Sequence, residues 1–243
     1  FWFGVFALVV LPPVCWLIRH KPPLPSAKSG PAGDVGDAAA ASPSRRPPLS
    51  PVAIQWILCA AITGCCVAMA LPLAHLVAYA TDLGFAITTG AEVMALMLVA
   101  AFLARSVFLG PLSEWLGGLR ALFLFCLVQA AMLGAMTAAR EVWVLYVTAI
   151  LFGFGYGGVF PAYALVIREM IPVAEVGRRT GFVFLFGAFA MGLGSWMGGF
   201  LFDLSGSYTL PFLIGVAFNA ANLLVVGYLI ARTGTGRLQS VPA

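Results

Sequence analysis

VAIQWILCAAITGCCVAMALPLAHLVAYAT, residues 52–81, runs for thirty positions without one Asp, Glu, Lys or Arg. About 20 helical residues span the hydrocarbon core of a bilayer. A strand crossing a membrane would alternate apolar and polar residues over about ten positions. This run is far longer and apolar on every side. It therefore reads as a buried or membrane-spanning helix. Hydropathy marks six further stretches of the same kind, over 1–18, 91–112, 121–139, 142–166, 181–202 and 210–231. The expected fold class is an all-α membrane protein of about seven transmembrane helices.

Composition agrees. Hydrophobic residues make up 62% of the 243 and charged residues 9%, against about 25% charged in soluble domains. Lipid has to cover what so few charges cannot. The net charge of +4 does not mark a nucleic-acid binder, because the basic residues sit between apolar runs and form no patch. Cys15, Cys59, Cys65, Cys66 and Cys126 all lie within apolar runs. They have neither zinc spacing nor the pattern of a disulfide framework, and read as small packing residues. No metal and no cofactor is expected. With His20 and His75 as the only histidines, no His-Glu-x-x-His and no serine–lysine pair within a span, a membrane-embedded enzyme is not expected either.

Residues 19–51 are rich in Pro, Ala, Ser and Gly and cannot bury a core. They read as a disordered linker between one helix (1–18) and a compact six-helix unit (52–232), followed by a tail (233–243). The charges Arg19 and Lys21 follow the first run, whereas a secretory signal carries charge before it. Residues 1–18 are thus expected to be the last helix of a preceding bundle in a longer protein. Lys and Arg set the orientation. With the linker on the cytoplasmic side, 11 of the 13 basic residues fall on that side, with Arg140 outside and Arg105 inside a span. A multi-pass protein of the cell (inner) membrane, linker and C-terminus cytoplasmic, is the expectation.

A short repeat is visible. Gly110-x-x-x-Glu114-x-x-Gly117 closes one span and Gly199-x-x-x-Asp203-x-x-Gly206 another. Each span is second in a set of three. Only the first motif is followed by a basic residue, Arg120. Two inverted three-helix repeats, common in transporters, would give this pattern.

These residues carry a resemblance. The six-helix unit resembles the C-terminal half of a major facilitator superfamily transporter, and within it the monocarboxylate porter and oxalate/formate antiporter branch. His75-Leu-Val-Ala-Tyr79-Ala-Thr-Asp82-Leu-Gly84 is similar to the first helix of that half. Arg105 matches the branch's arginine in the next helix. Gly110-Pro-Leu-Ser-Glu114-Trp-Leu-Gly117-Gly118-Leu-Arg120 is similar to the superfamily's loop motif, and Gly153-Phe-Gly155-Tyr-Gly157-Gly158 and Phe202-Asp203-Leu-Ser-Gly206-Ser-Tyr208 fit the branch. The chain also departs from the pattern. Trp115 and Gly118 stand where the loop motif carries basic residues. Ala101 stands where mammalian monocarboxylate porters carry an aspartate. No second cation lies between Gly181 and Phe202, which argues against a dicarboxylate held by two charges.

Arg105 is the leading candidate for chemistry. An arginine within a span costs about 2.5–3.5 kcal/mol on the insertion scale. It either faces a polar interior, where its fork holds a carboxylate by two parallel hydrogen bonds, or snorkels to the interface. His75 and Tyr79, at i and i+4, share a helix face with Asp82 one turn on. They read as a polar stripe along a pathway, or as bundle and interface polar groups. Asp82, Glu114, Arg120, Arg178 and Arg179 are candidates for coupling or gating; solvated loop charges are the plainer account. Gly153-x-x-x-Gly157 and Gly194-x-x-x-Gly198 allow close helix approach, Pro161 is placed to kink its helix, and Asn219 and Asn222 are placed to hydrogen-bond between helices.

The expected function is secondary active transport of a small organic anion, a monocarboxylate first, by alternating access. The expected partners are the lipid bilayer, the anion and the missing N-terminal six-helix bundle. The alternatives are another small solute of the same superfamily, a part that alone transports nothing, or a seven-helix receptor or structural protein.

Overall fold

A computed structural model describes residues 49–233. The first apolar stretch, nearly all of the linker and the tail lie outside the described residues. Six helices follow one another: α1 Pro51–Asp82, α2 Ile87–Leu116, α3 Gly118–Met136, α4 Val142–Met170, α5 Val173–Ser205 and α6 Thr209–Thr233. They are 19 to 33 residues long and apolar enough to cross a membrane. Among the described residues every regular element is helical. The chain is a multi-pass membrane protein built on a six-helix bundle.

Local chemistry sets the ends. Ser50 caps α1 by accepting the Ala53 N–H on its hydroxyl at 3.2 Å, with Pro51 in the first turn. Gly117 and Gly206, the last glycines of the two motifs, close α2 and α5 at φ +83° and +65°. Only glycine takes such values without strain. The repeat seen in sequence is therefore a repeated helix stop.

Packing follows the same two-fold logic. α1 packs most extensively on α5, and α2 on α4; α1 also packs on α6, as α3 does on α4; α3 meets α6. Exchanging α1 with α4, α2 with α5 and α3 with α6 maps this pattern onto itself. Each half has three spans, so the two halves run in opposite senses through the bilayer, as inverted repeats require.

α1 is the centre of the bundle, with buried residues on all sides from Ala61 to Pro72 except at Thr63. Most polar groups inside are paired, the buried Thr180 hydroxyl being an exception. The Tyr163 hydroxyl donates to Asn222 Oδ1 at 3.1 Å, Asn222 Nδ2 to Asn219 Oδ1 at 3.0 Å, and Asn219 Nδ2 to the Cys126 carbonyl at 3.3 Å. This chain ties α4, α6 and α3 where no water can serve. The two asparagines do join helices, as their positions foretold. α4 breaks at Gly158, between Val142–Gly157 and Val159–Met170. Pro161 cannot donate to the Gly157 carbonyl four residues back, which accounts for the break.

Candidate functional site

Arg105 lies in α2, about eighteen residues or about 27 Å from its Ile87 end at about 1.5 Å per residue. The segment around it is apolar, and α2 presses hard on α4 there. Gly153 and Gly157 of α4 lie directly against the Met97 and Ala101 backbone, leaving no room for a Cβ. Arg105 emerges beside this seam on the exposed side. Its Nε donates to the Ala101 carbonyl at 3.3 Å, and its guanidinium lies beside the Tyr156 phenol of α4. No carboxylate pairs with it among the described residues. A guanidinium with donors to spare next to a phenol can receive a carboxylate by two parallel hydrogen bonds.

His75 and Tyr79 belong to another cluster, nearer the Asp82 end of α1. His75 Nε2 lies 2.9 Å from the Ser195 carbonyl of α5 and fills the hollow made by Gly198. A methyl on Gly198 would stand 2.5 Å from the imidazole. Tyr79 is 5% exposed and donates its hydroxyl to the Met136 carbonyl of α3. Both rings meet Tyr208, with centroids at 5.4 Å and 6.1 Å. Burial, and then the nearby charges of Asp82 and Asp203, push the Tyr208 phenol above its usual range. The structure thus brings His75, Tyr79 and Tyr208 together. No hydrogen bond or ring contact joins Arg105 to them among the described residues.

The other candidates lie toward the helix ends. Asp82, Glu114 and Arg120 are exposed, and Trp115 between the latter two is 82% exposed. Arg178 stands 3.9 Å from Glu175 at the surface. Arg179 is 6% exposed and bonds Glu175, the Gln55 side-chain oxygen and the Pro51 carbonyl at 3.3 Å. It fastens the start of α5 to the start of α1. Arg120, Arg168, Arg178, Arg179 and Arg232 all lie at the bundle end where α1 begins, and Arg140 lies at the other.

Sequence reasoning did not single out Tyr156. Its place in a glycine-rich run reads as packing. Only the α2–α4 seam shows that it reaches Arg105.

No protein-family model matches the chain. It is 27% identical over 154 residues to monocarboxylate transporter 13 of Rattus norvegicus and 25% identical over 154 residues to that of Bos taurus. Each match covers 61% of this chain and 35% of the relative. Over this stretch the chain is similar to a monocarboxylate transporter, and the likeness fits a fragment of the major facilitator type. It matches about a third of the length of these curated relatives. The six helices and their inverted pairing fit one half-bundle of that superfamily.

Proposed function

We propose that the chain supplies the C-terminal bundle of a secondary active transporter for a small organic anion, a monocarboxylate, working by alternating access. One observation carries the reading: an exposed Arg105 within an apolar span, beside a phenol and paired with no carboxylate among the described residues. Such a charge is costly in lipid and is retained where it faces a polar path. A single arginine suits one carboxylate better than two. The relatives' name adds support.

In this reading a preceding six-helix bundle faces the Arg105 side and completes the site. The two bundles rock about it. His75 and Tyr79, with Tyr208, brace the bundle behind the path in the half toward Asp82, where α1 meets α3 and α5. Asp82, Glu114, Arg120 and Arg178 act at its two ends in coupling or gating, while Arg179 holds the α1–α5 pair that must move as one. The basic end of the bundle faces the cytoplasm of the cell membrane.

The test is uptake of labelled lactate, pyruvate, formate and oxalate into vesicles carrying the full-length protein, beside Arg105→Lys and Arg105→Ala. Uptake of a monocarboxylate that both variants lose, at normal membrane expression, supports the reading. Uptake unaffected by either variant removes Arg105 from the site. Uptake of none of the acids points to another solute class.

A further inference from the structure

α2 is not one regular helix. It is α-helical over Ile87–Leu103, π-helical over Ala104–Phe108 and α-helical again over Leu109–Leu116. The Leu109 N–H reaches back five residues to the Ala104 carbonyl. The apolar stripe shows the same slip. Val93, Met97, Ala101 and Ala104 are buried, and the stripe resumes at Leu109 and Leu112, which pack on the core. In an unbroken α-helix Phe108 would follow Ala104 on that stripe. Phe108 is instead 49% exposed. Pro111 supplies a cause: it has no N–H for the Val107 carbonyl and its ring crowds it. A wider turn just before it relieves that conflict.

The extra residue leaves four successive side chains, Arg105 to Phe108, outside. The two at its ends diverge. Arg105 lies beside Tyr156, while Phe108 meets Phe154 edge-on with centroids 5.0 Å apart. Phe154 and Tyr156 are two residues apart in an α-helix, about 200° around its axis, and so mark opposite flanks of α4. In a regular helix, residues i and i+3 share a face, and Arg105 and Phe108 would compete for one flank.

We propose that the π turn of α2 is a positioning element for the anion site: it sends Phe108 to one flank of α4 as a packing wedge and frees Arg105 for the other, where Tyr156 orients it. This rests on the reading of Arg105 as the anion's ligand. It adds Phe108, Pro111 and Tyr156 as positioning residues.

The test is Pro111→Ala in the full-length protein, which gives the Val107 carbonyl an N–H partner and lets the turn tighten. The regular turn sets Arg105 and Phe108 three residues apart on one face. The expected result is normal membrane expression with KM for the transported monocarboxylate raised about tenfold or more, a size set by misplacing one binding group. Adding Phe108→Ala to Pro111→Ala removes the competitor and brings KM back toward wild type, which a purely structural role would not do. Should Pro111→Ala fail to fold, Tyr156→Phe carries the test, with KM again expected to rise. A wild-type KM in folded Pro111→Ala or in Tyr156→Phe, while Arg105→Ala abolishes uptake, overturns the proposal and leaves the anion reading standing. Uptake unaffected by Arg105→Ala overturns both.

Discussion

Gln129 donates its side-chain amide to the Cys65 carbonyl at 3.1 Å and accepts the Cys65 thiol at 3.5 Å, both groups fully buried. One side chain thus ties α3 to α1 in a region without water. The Cys65 and Cys126 sulfurs lie 3.8 Å apart beside it. Interhelical polar contacts in membranes contribute about 0.6–2 kcal/mol each. Gln129→Ala also leaves a void. Its loss is expected to lower the unfolding temperature in detergent by several degrees, and Gln129→Leu, which fills the space, by less.

Arg179 offers a second test of the scaffold. It serves Glu175, Gln55 and the Pro51 carbonyl at once from a nearly buried position. Removing hydrogen bonds that involve a charged group costs about 1.5–3 kcal/mol. Arg179→Ala is expected to lose that much stability, read by thermal unfolding. Arg179→Lys is expected to recover little, because an ammonium cannot span three acceptors as the planar fork does.

His75 and Gly198 are expected to be coupled. Gly198→Ala places a methyl where the imidazole sits, and overpacking of this kind costs about 1–3 kcal/mol. His75→Ala empties the hollow. The double variant is therefore expected to be more stable than the sum of the single losses, with an interaction of about 0.5–3 kcal/mol in a double-mutant cycle.

Tyr156→Phe removes one hydroxyl beside Arg105 and keeps the ring. If the phenol helps to place the guanidinium, KM for the transported acid is expected to rise by about twofold or more, the low end for one polar contact. Expression and thermal stability should stay close to wild-type values, since the ring is kept and Tyr156 is only partly buried.

Much of the fold was legible because bilayer physics is strict. Helices of 19 to 33 apolar residues declare themselves without alignment, and Gly117 and Gly206 marked the repeat because a positive φ selects glycine. Pro161 announced the break at Gly158 for a similar reason. Helix ends were less exact: α5 begins at Val173 and not near Gly181, because Arg178 and Arg179 look like loop charges until Glu175 and Gln55 supply their partners. Arg105 was visible as a costly charge. Its setting was not. The π turn depends on Pro111 acting across four residues, and Tyr156 reaches Arg105 only through the close α2–α4 seam that Gly153 and Gly157 permit.

The central claim is that Arg105 binds a monocarboxylate. The most direct measurement is the thermal stability of the purified full-length protein against increasing lactate, pyruvate and formate, beside Arg105→Ala. A ligand that binds the folded state raises the unfolding temperature as its concentration passes Kd. A saturable rise is expected with at least one of the acids in the wild type and none with that acid in Arg105→Ala. An equal rise in both proteins, or none with any acid, would contradict it.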